Sequence, residues 1–277
     1  MTKKTSTNRK TPRKPTQASQ ADPHALYELA VQQPVVMISL LQQLLEERNE
    51  ALVQREERGE ASIVLREDFC GTANLASVWV RSGDGRRAVG VDLDPAMIEY
   101  AERHSRAPLG DAAGRLKLIE ADVLGSRATA DMLVSLNFSH FIYNKREELV
   151  RYLKHARRCL REDGFMVLDV YAGPGAMLQC NDPRKFGDFT YYWHQASFDP
   201  GTHLVTNHIH FAFPDRSRLD EAFTYHWRLY TIPELVDAMT EAGFRDVEVL
   251  YETEEGYTDE IDPEAHEAWV GYLVGSK

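Results

Sequence analysis

Short apolar runs alternate with amphipathic stretches through the first two thirds of the chain. Strand candidates are Ser62–Leu65, Arg87–Val91, Leu116–Glu120, Met132–Leu136 and Phe165–Val170, with helices expected over 72–82, 95–105 and 146–161. β-Branched runs buried on both sides and separated by helices specify a largely parallel sheet with helices on each face. Two helices are expected ahead of it. One spans 23–33, starting behind Asp22 with Pro23 at its first position, and one spans 35–57, with Met37, Leu40, Leu41 and Leu44 at helical spacing. Beyond residue 182 the pattern changes to three extended, aromatic-rich segments, Phe189–Phe198, His203–Phe213 and Glu221–Tyr230, joined by turns and suited to antiparallel pairing. A helix over 232–242 stops at Gly243, a residue fit for a left-handed cap. Strands Asp246–Tyr251 and Trp269–Val274 follow. The expected fold is α/β: a doubly wound, mostly parallel seven-stranded sheet with a C-terminal antiparallel strand and an inserted antiparallel, aromatic-rich cap at about 183–231. One domain over 23–277 carries all of it.

Composition narrows the class without changing this picture. With 277 residues, 43% hydrophobic and 27% charged, the chain reads as an ordinary soluble globular protein. Residues 1–22 hold Lys3, Lys4, Arg9, Lys10, Arg13 and Lys14 but no apolar periodicity, and are expected to be a disordered basic tail. The rest is more acidic than the whole-chain net charge of −11. That disfavours nucleic acid as a partner. No run is long enough for a membrane span, and no secretion signal is visible. Cys70, Cys159 and Cys180 are odd in number and lack CxxC spacing, so a reducing cytoplasm is expected and no zinc site is read. His208 and His210 share a strand face, but without a carboxylate or thiol partner they do not make a metal site. The oligomeric state is not legible.

In an open parallel sheet, ligands sit at the carboxyl ends of the strands. The first strand leads into Glu67-Asp68-Phe69-Cys70-Gly71-Thr72-Ala73. The second ends at Asp92, about twenty residues on, where an acid can accept from both hydroxyls of a ribose. The third ends near Asp122. Asp94 reads as a helix cap with Pro95 in the first turn. This constellation, with Val89–Ala101, Asp131–Gly164 and Ala242-Gly243-Phe244, resembles the class I methyltransferases over about four fifths of the chain. In that family the loop reads acid-x-Gly-x-Gly-x-Gly. Glu67 falls on the first acid, Gly71 on the central glycine, Asp92 on the ribose acid and Asp122 on the adenine-side acid. The resemblance implies S-adenosylmethionine as cofactor, with Tyr27, Glu67, Phe69, Cys70, Gly71, Thr72, Asp92, Leu93, Asp122, Val123 and Asn137 around it. Tyr27 is similar in position to tyrosines that close over the cofactor, although packing of its helix on the sheet explains it equally well.

This chain departs from the pattern at Phe69 and Ala73, where the family has glycine. Phe69 must either avoid the left-handed region or carry strain. The implied chemistry is in-line methyl transfer to a small-molecule acceptor, in which the protein aligns the reactants and excludes water. His140 and Tyr171 are the catalytic candidates, His140 as a general base whose ordinary pKa suits that role. Tyr143, Tyr192, Trp193, Trp227 and Arg228 are acceptor candidates, although strand alternation turns about half of any such set away from a pocket. Two alternatives remain open: a catalytically silent cofactor-binding or scaffolding protein, to which the altered glycines lend weight, and a nicotinamide-dependent dehydrogenase.

Overall fold

The computed structural model describes residues 14–253, 256–260 and 268–277. Three helices come first: α1 (Gln17–Gln20), α2 (Pro23–Val31) and α3 (Pro34–Glu57). Asp22 caps α2 by accepting from the His24 and Ala25 N–H groups. The basic tail was expected to run unstructured as far as Asp22. Residues 1–13 lie outside the described residues, but Gln17–Gln20 form a helical turn fastened to the distal cap: the Gln17 N–H donates to Asp215 at 2.8 Å and the Ala18 N–H to Ser217 at 3.0 Å. A short polar segment gives no periodic signal, and long-range side-chain acceptors order it instead.

The alternating part follows as β1 (Ile63–Asp68), α4 (Asn74–Arg81), β2 (Arg86–Asp92), α5 (Pro95–Ala101), β3 (Leu116–Glu120), β4 (Ala130–Ser135), α6 (Arg146–Cys159) and β5 (Leu160–Ala172). The cap comprises β6 (Cys180–Phe186), β7 (Phe189–Phe198), β8 (Leu204–Ala212) and β9 (Arg218–Arg228). The chain then returns through α7 (Ile232–Ala242), β10 (Arg245–Thr253), β11 (Gly256–Thr258) and β12 (Trp269–Ser276). Gly243 takes φ 95° at the end of α7, the left-handed cap its position requires.

The main sheet has eight strands in the order β11-β10-β12-β5-β4-β1-β2-β3. β1 to β5 run parallel, β12 is antiparallel to β5, and β10 and β11 extend that edge in antiparallel pairs. The eighth strand, β11, is too short to carry a periodic signal. Helices α6 and α7 pack on one face of the sheet and α3 and α4 on the other, each closing its own apolar core. The strand order reverses between β1 and β4, so the crevice for a ligand opens at their carboxyl ends.

The cap is a separate four-stranded antiparallel sheet, β6-β7-β8-β9. Its first strand begins at Cys180, ahead of the expected start near 183. β6 is an exposed edge with Pro183 opposite Tyr192, which explains why it shows no apolar alternation. Phe189, Tyr191, Ile209 and Phe211 make the cap's small core, and Leu26, Tyr27, Ala30 and Val31 of α2 pack against it. Helix α2 thus covers the cap, not the main sheet.

Between β1 and β2 the packing allows no side chain at Gly90: a Cβ there would lie 2.9 Å from the Cys70 Sγ and 3.1 Å from Leu118. Gly90→Ala is therefore expected to lower stability by about 1–3 kcal/mol through overpacking. Cys70→Ala in the same chain should recover part of that loss in urea unfolding. An undiminished cost in the double variant would show that the Cys70 sulfur does not set it.

Candidate active site

The turn joining β1 to α4 is left-handed at alternate residues: Phe69 at φ 58°, Gly71 at 50° and Ala73 at 54°. The loop keeps the backbone path that three glycines would make easy, with two side chains in a region that costs about 1–2 kcal/mol per non-glycine residue. Side-chain contacts hold Phe69 there, its ring 5.6 Å from Tyr152 and 6.3 Å from Tyr143. Asp92 holds Gly71: its Oδ2 accepts the Gly71 N–H at 2.8 Å, and its Oδ1 accepts the Asp94 N–H at 3.0 Å. Ala73 offers no oxygen to cap α4, and Glu67 serves instead, accepting the Ala76 N–H at 3.0 Å. Helix α4 accordingly starts at Asn74, two residues later than the sequence pattern suggested. Burial pushes the Glu67 carboxyl up to about 8, and the neighbouring Asp92 adds to the shift.

Asp122 follows β3 on an exposed turn, its Oδ1 accepting the Leu124 N–H at 2.8 Å, with Val123 buried behind it. Leu93, next to Asp92, is 69% exposed. Glu67, Asp92 and Asp122 therefore stand at the ends of three neighbouring strands, β1, β2 and β3, spaced about 4.8 Å apart. Cys70 and Thr72 are buried inside the turn. Desolvation and nearby carboxylates push the Cys70 thiol well up, so it is not a nucleophile.

From Glu67 a cavity of about 740 Å³ runs beneath the cap, over the ends of β4 and β5. Its wall includes Asn137, Phe138, Asp169, Tyr171, Tyr191, Trp193, Tyr225 and Trp227, closed on one side by Tyr27 and the start of α3. The Tyr27 and Tyr225 hydroxyls share a hydrogen bond, and the Tyr225 and Trp227 rings stack at 4.4 Å. The buried Trp193 indole N–H has no partner among the described residues. The Phe69–Thr72 turn, Asp92, Leu93, Asp122 and Val123 lie outside this wall, along the neighbouring strand ends.

Residues 70–166 match the family model described as "Methyltransferase domain". No curated protein matches the sequence. Among solved structures, the chain superposes on an S-adenosylmethionine-dependent methyltransferase of Clostridium acetobutylicum ATCC 824 with TM-score 0.68 and 16% identity, over 91% of this chain and 96% of that one. The chain shares the fold of that enzyme, and residues 70–166 are its match to a methyltransferase domain. It is also similar to a sugar N-methyltransferase of Streptoalloteichus sp. ATCC 53650 (TM-score 0.63, 19% identity, 100% and 99% coverage). A further match is the S-adenosylmethionine-bound amino pentose methyltransferase of Micromonospora echinaspora (TM-score 0.60, 15% identity, 91% and 95% coverage).

The geometry divides the sequence candidates. Of the acceptor set, Trp193 and Trp227 line the cavity and three residues do not. Tyr143 packs on Phe69 and Tyr152, Tyr192 points to the other face of the cap beneath the Arg218 guanidinium, and Arg228 pairs with Glu234 at 3.1 Å. His140 is not placed as a base. It is fully buried outside the cavity wall, neither ring nitrogen has a partner among the described residues, and burial holds its pKa down to about 3. Tyr171 does line the cavity, but burial pushes it up to about 12, so it meets a ligand as a hydroxyl. His208 and His210 face outward on the cap. The Glu221 N–H donates to His210 Nδ1 at 2.8 Å, which leaves the proton on Nε2, facing His194 Nδ1 at 3.1 Å. Among the described residues no group of three or more metal-binding side chains converges.

Sequence reasoning passed over Asp169. It lies near the carboxyl end of β5, two residues before Tyr171, lines the cavity, and accepts the Phe138 N–H at 2.8 Å. Burial lifts its carboxyl to about 7 against that hydrogen bond and one from the Asn137 backbone. The run Val167-Leu168-Asp169-Val170 contained the signal, a lone acid within an apolar strand at a strand end.

Ala73→Gly should raise the unfolding free energy by about 0.5–1 kcal/mol, because relief of the left-handed strain exceeds the entropy that glycine adds to the unfolded chain. Thermal unfolding without added ligand measures it. A loss of stability would mean that the packing of the Ala73 methyl outweighs its backbone strain.

Proposed function

We propose that the chain is an S-adenosylmethionine-dependent methyltransferase acting on a nitrogen of a small-molecule acceptor. The observation that carries this reading is one continuous track. Asp122, Asp92 and Glu67 stand at successive strand ends for adenine, ribose and the amino-acid end of the cofactor, and the aromatic cavity begins where Glu67 ends. In this reading Leu93 and Val123 flank the adenine, Phe69 to Thr72 and Asn137 border the sulfonium end, and Tyr27 closes over it. The cofactor supplies an electrophilic methyl group with a neutral leaving group. The acceptor nitrogen forms the new C–N bond as the S–C bond breaks, and S-adenosylhomocysteine departs. The protein aligns the nitrogen behind the methyl and keeps water out.

Aromatic faces favour the sulfonium and the nitrogen as it becomes cationic. The nitrogen attacks through a free lone pair, so an ammonium acceptor must first give up a proton, which passes to Asp169, whose carboxyl burial lifts to about 7. Tyr171 and Trp193 donate hydrogen bonds to the acceptor, and Trp227 packs on it. An amine acceptor agrees with two similar structures, a sugar N-methyltransferase and an amino pentose methyltransferase. A silent cofactor-binding protein loses its main support, because the altered glycines leave the left-handed turn in place. A dehydrogenase is disfavoured by the antiparallel β12 between β5 and β10.

Calorimetric titration tests the cofactor. S-adenosylhomocysteine should bind and NADH should not, and methyl-labelled cofactor incubated with cell extract should label a small molecule. Heat with NADH alone, or label confined to protein and nucleic acid, would overturn the assignment.

Asp169→Asn keeps an oxygen for the Phe138 N–H, so the variant should fold. Its kcat is expected to fall by about 10²–10⁴. Unsubstituted enzyme should gain activity as pH rises through about 7, where Asp169 loses its proton and becomes able to accept one. The variant should lose that limb, and a retained limb would remove Asp169 from the chemistry.

A further inference from the structure

Arg66 lies in the middle of β1, in the centre of the main sheet, and is wholly buried. Strand positions of this kind ordinarily hold apolar residues, and a buried ion pair is seldom more stable than apolar packing of the same volume. The guanidinium meets one carboxylate, its Nε donating to Asp68 Oδ1 at 2.7 Å. Its other two nitrogens reach backbone carbonyls in a single irregular stretch. Nη2 donates to Val123 at 3.1 Å, and Nη1 to Ser126 at 3.2 Å and Ala128 at 2.9 Å. His155 Nε2 approaches the same Ser126 carbonyl at 2.8 Å.

That stretch is the connection from β3 to β4, and it has no helix or strand of its own to fix its path. It begins at Asp122, whose carboxylate accepts the Leu124 N–H and whose carbonyl accepts the Gly125 N–H at 2.8 Å. The Val123 carbonyl, one peptide on from Asp122, is held from below by Arg66. The position of an exposed carboxylate is thus referred to the rigid centre of the sheet through one buried cation. Asp68 extends the link, since its Oδ2 accepts the Tyr152 hydroxyl at 3.1 Å and the Tyr152 ring supports Phe69 in the strained turn.

We propose that Arg66 is a positioning residue for the cofactor's adenine: by tying the Val123, Ser126 and Ala128 carbonyls to β1 it sets Asp122, and so governs affinity for the adenosine portion without touching it. This rests on the reading above that Asp122 meets adenine. Lysine keeps the charge but has a single nitrogen, which cannot hold Asp68 and three carbonyls together.

The test is a double-mutant cycle of Arg66→Lys with Asp122→Ala, titrated with S-adenosylhomocysteine at a temperature where circular dichroism shows all four proteins folded. Arg66→Lys should weaken binding by roughly tenfold in the otherwise unsubstituted chain and by less than about twofold when Asp122 is already alanine. Equal losses in both backgrounds would overturn the proposal, because a general structural role does not depend on Asp122. Should Arg66→Lys not fold, nitrogen-15 NMR of the unsubstituted protein decides. The slowly exchanging Arg66 guanidinium signals should shift with adenosine and not with methionine, and no shift with adenosine overturns the proposal. Absence of S-adenosylhomocysteine binding by the unsubstituted protein would overturn the proposed function and this inference together. Binding that the two substitutions weaken independently would overturn this inference alone.

Discussion

The site depends on the backbone path between β1 and α4. Three left-handed residues in five bring the chain around tightly enough to leave the strand-end crevice open, and two of them are not glycine. The cost falls on the turn, and the compensation comes from outside it: Asp92 grips the Gly71 N–H, Glu67 grips the first turn of α4, and Tyr143 and Tyr152 trap the Phe69 ring. The acids that define the site by chain position are thus also its scaffolding. Asp92 accepts two backbone N–H groups and still has lone pairs to offer a ligand, since each carboxylate oxygen accepts more than one bond.

The alternating half of the fold was legible because each of its elements reports burial directly. β3 at Leu116–Glu120 and α7 at Ile232–Ala242 have the bounds read from pattern alone, and the other parallel strands differ only at their ends. What escaped was structure held by long-range contacts. β6 is an exposed edge with a proline, β11 is three residues long, and α1 exists because Asp215 and Ser217 receive its N–H groups. None of these leaves a periodic trace.

The left-handed turn and the placing of the three acids at neighbouring strand ends were legible, and the cavity was poorly legible. Strand alternation says that neighbouring cap residues face opposite ways but not which face is inward, and this separates Trp193 from Tyr192. Chain position favoured His140, which is buried outside the cavity wall and kept neutral by that burial. Asp169 was hidden for the converse reason: within an apolar strand an acid reads as an interruption, and only the cavity shows what it faces.

The cavity's walls come from opposite ends of the chain. Tyr27 and Met37 line one side, and Trp193, Tyr225 and Trp227 line the cavity from more than 150 residues away. The contacts of β1 to β5 are by comparison local, closing over short βα connections. Because distant contacts carry the larger loop-closure entropy, the β1–β5 part of the sheet can form from local contacts. The aromatic chamber cannot. It needs the β8–β9 turn at Asp215 to find Gln17 across 198 residues and β12 to reach β5 from the far end of the chain, so the cavity closes only when both late segments have docked.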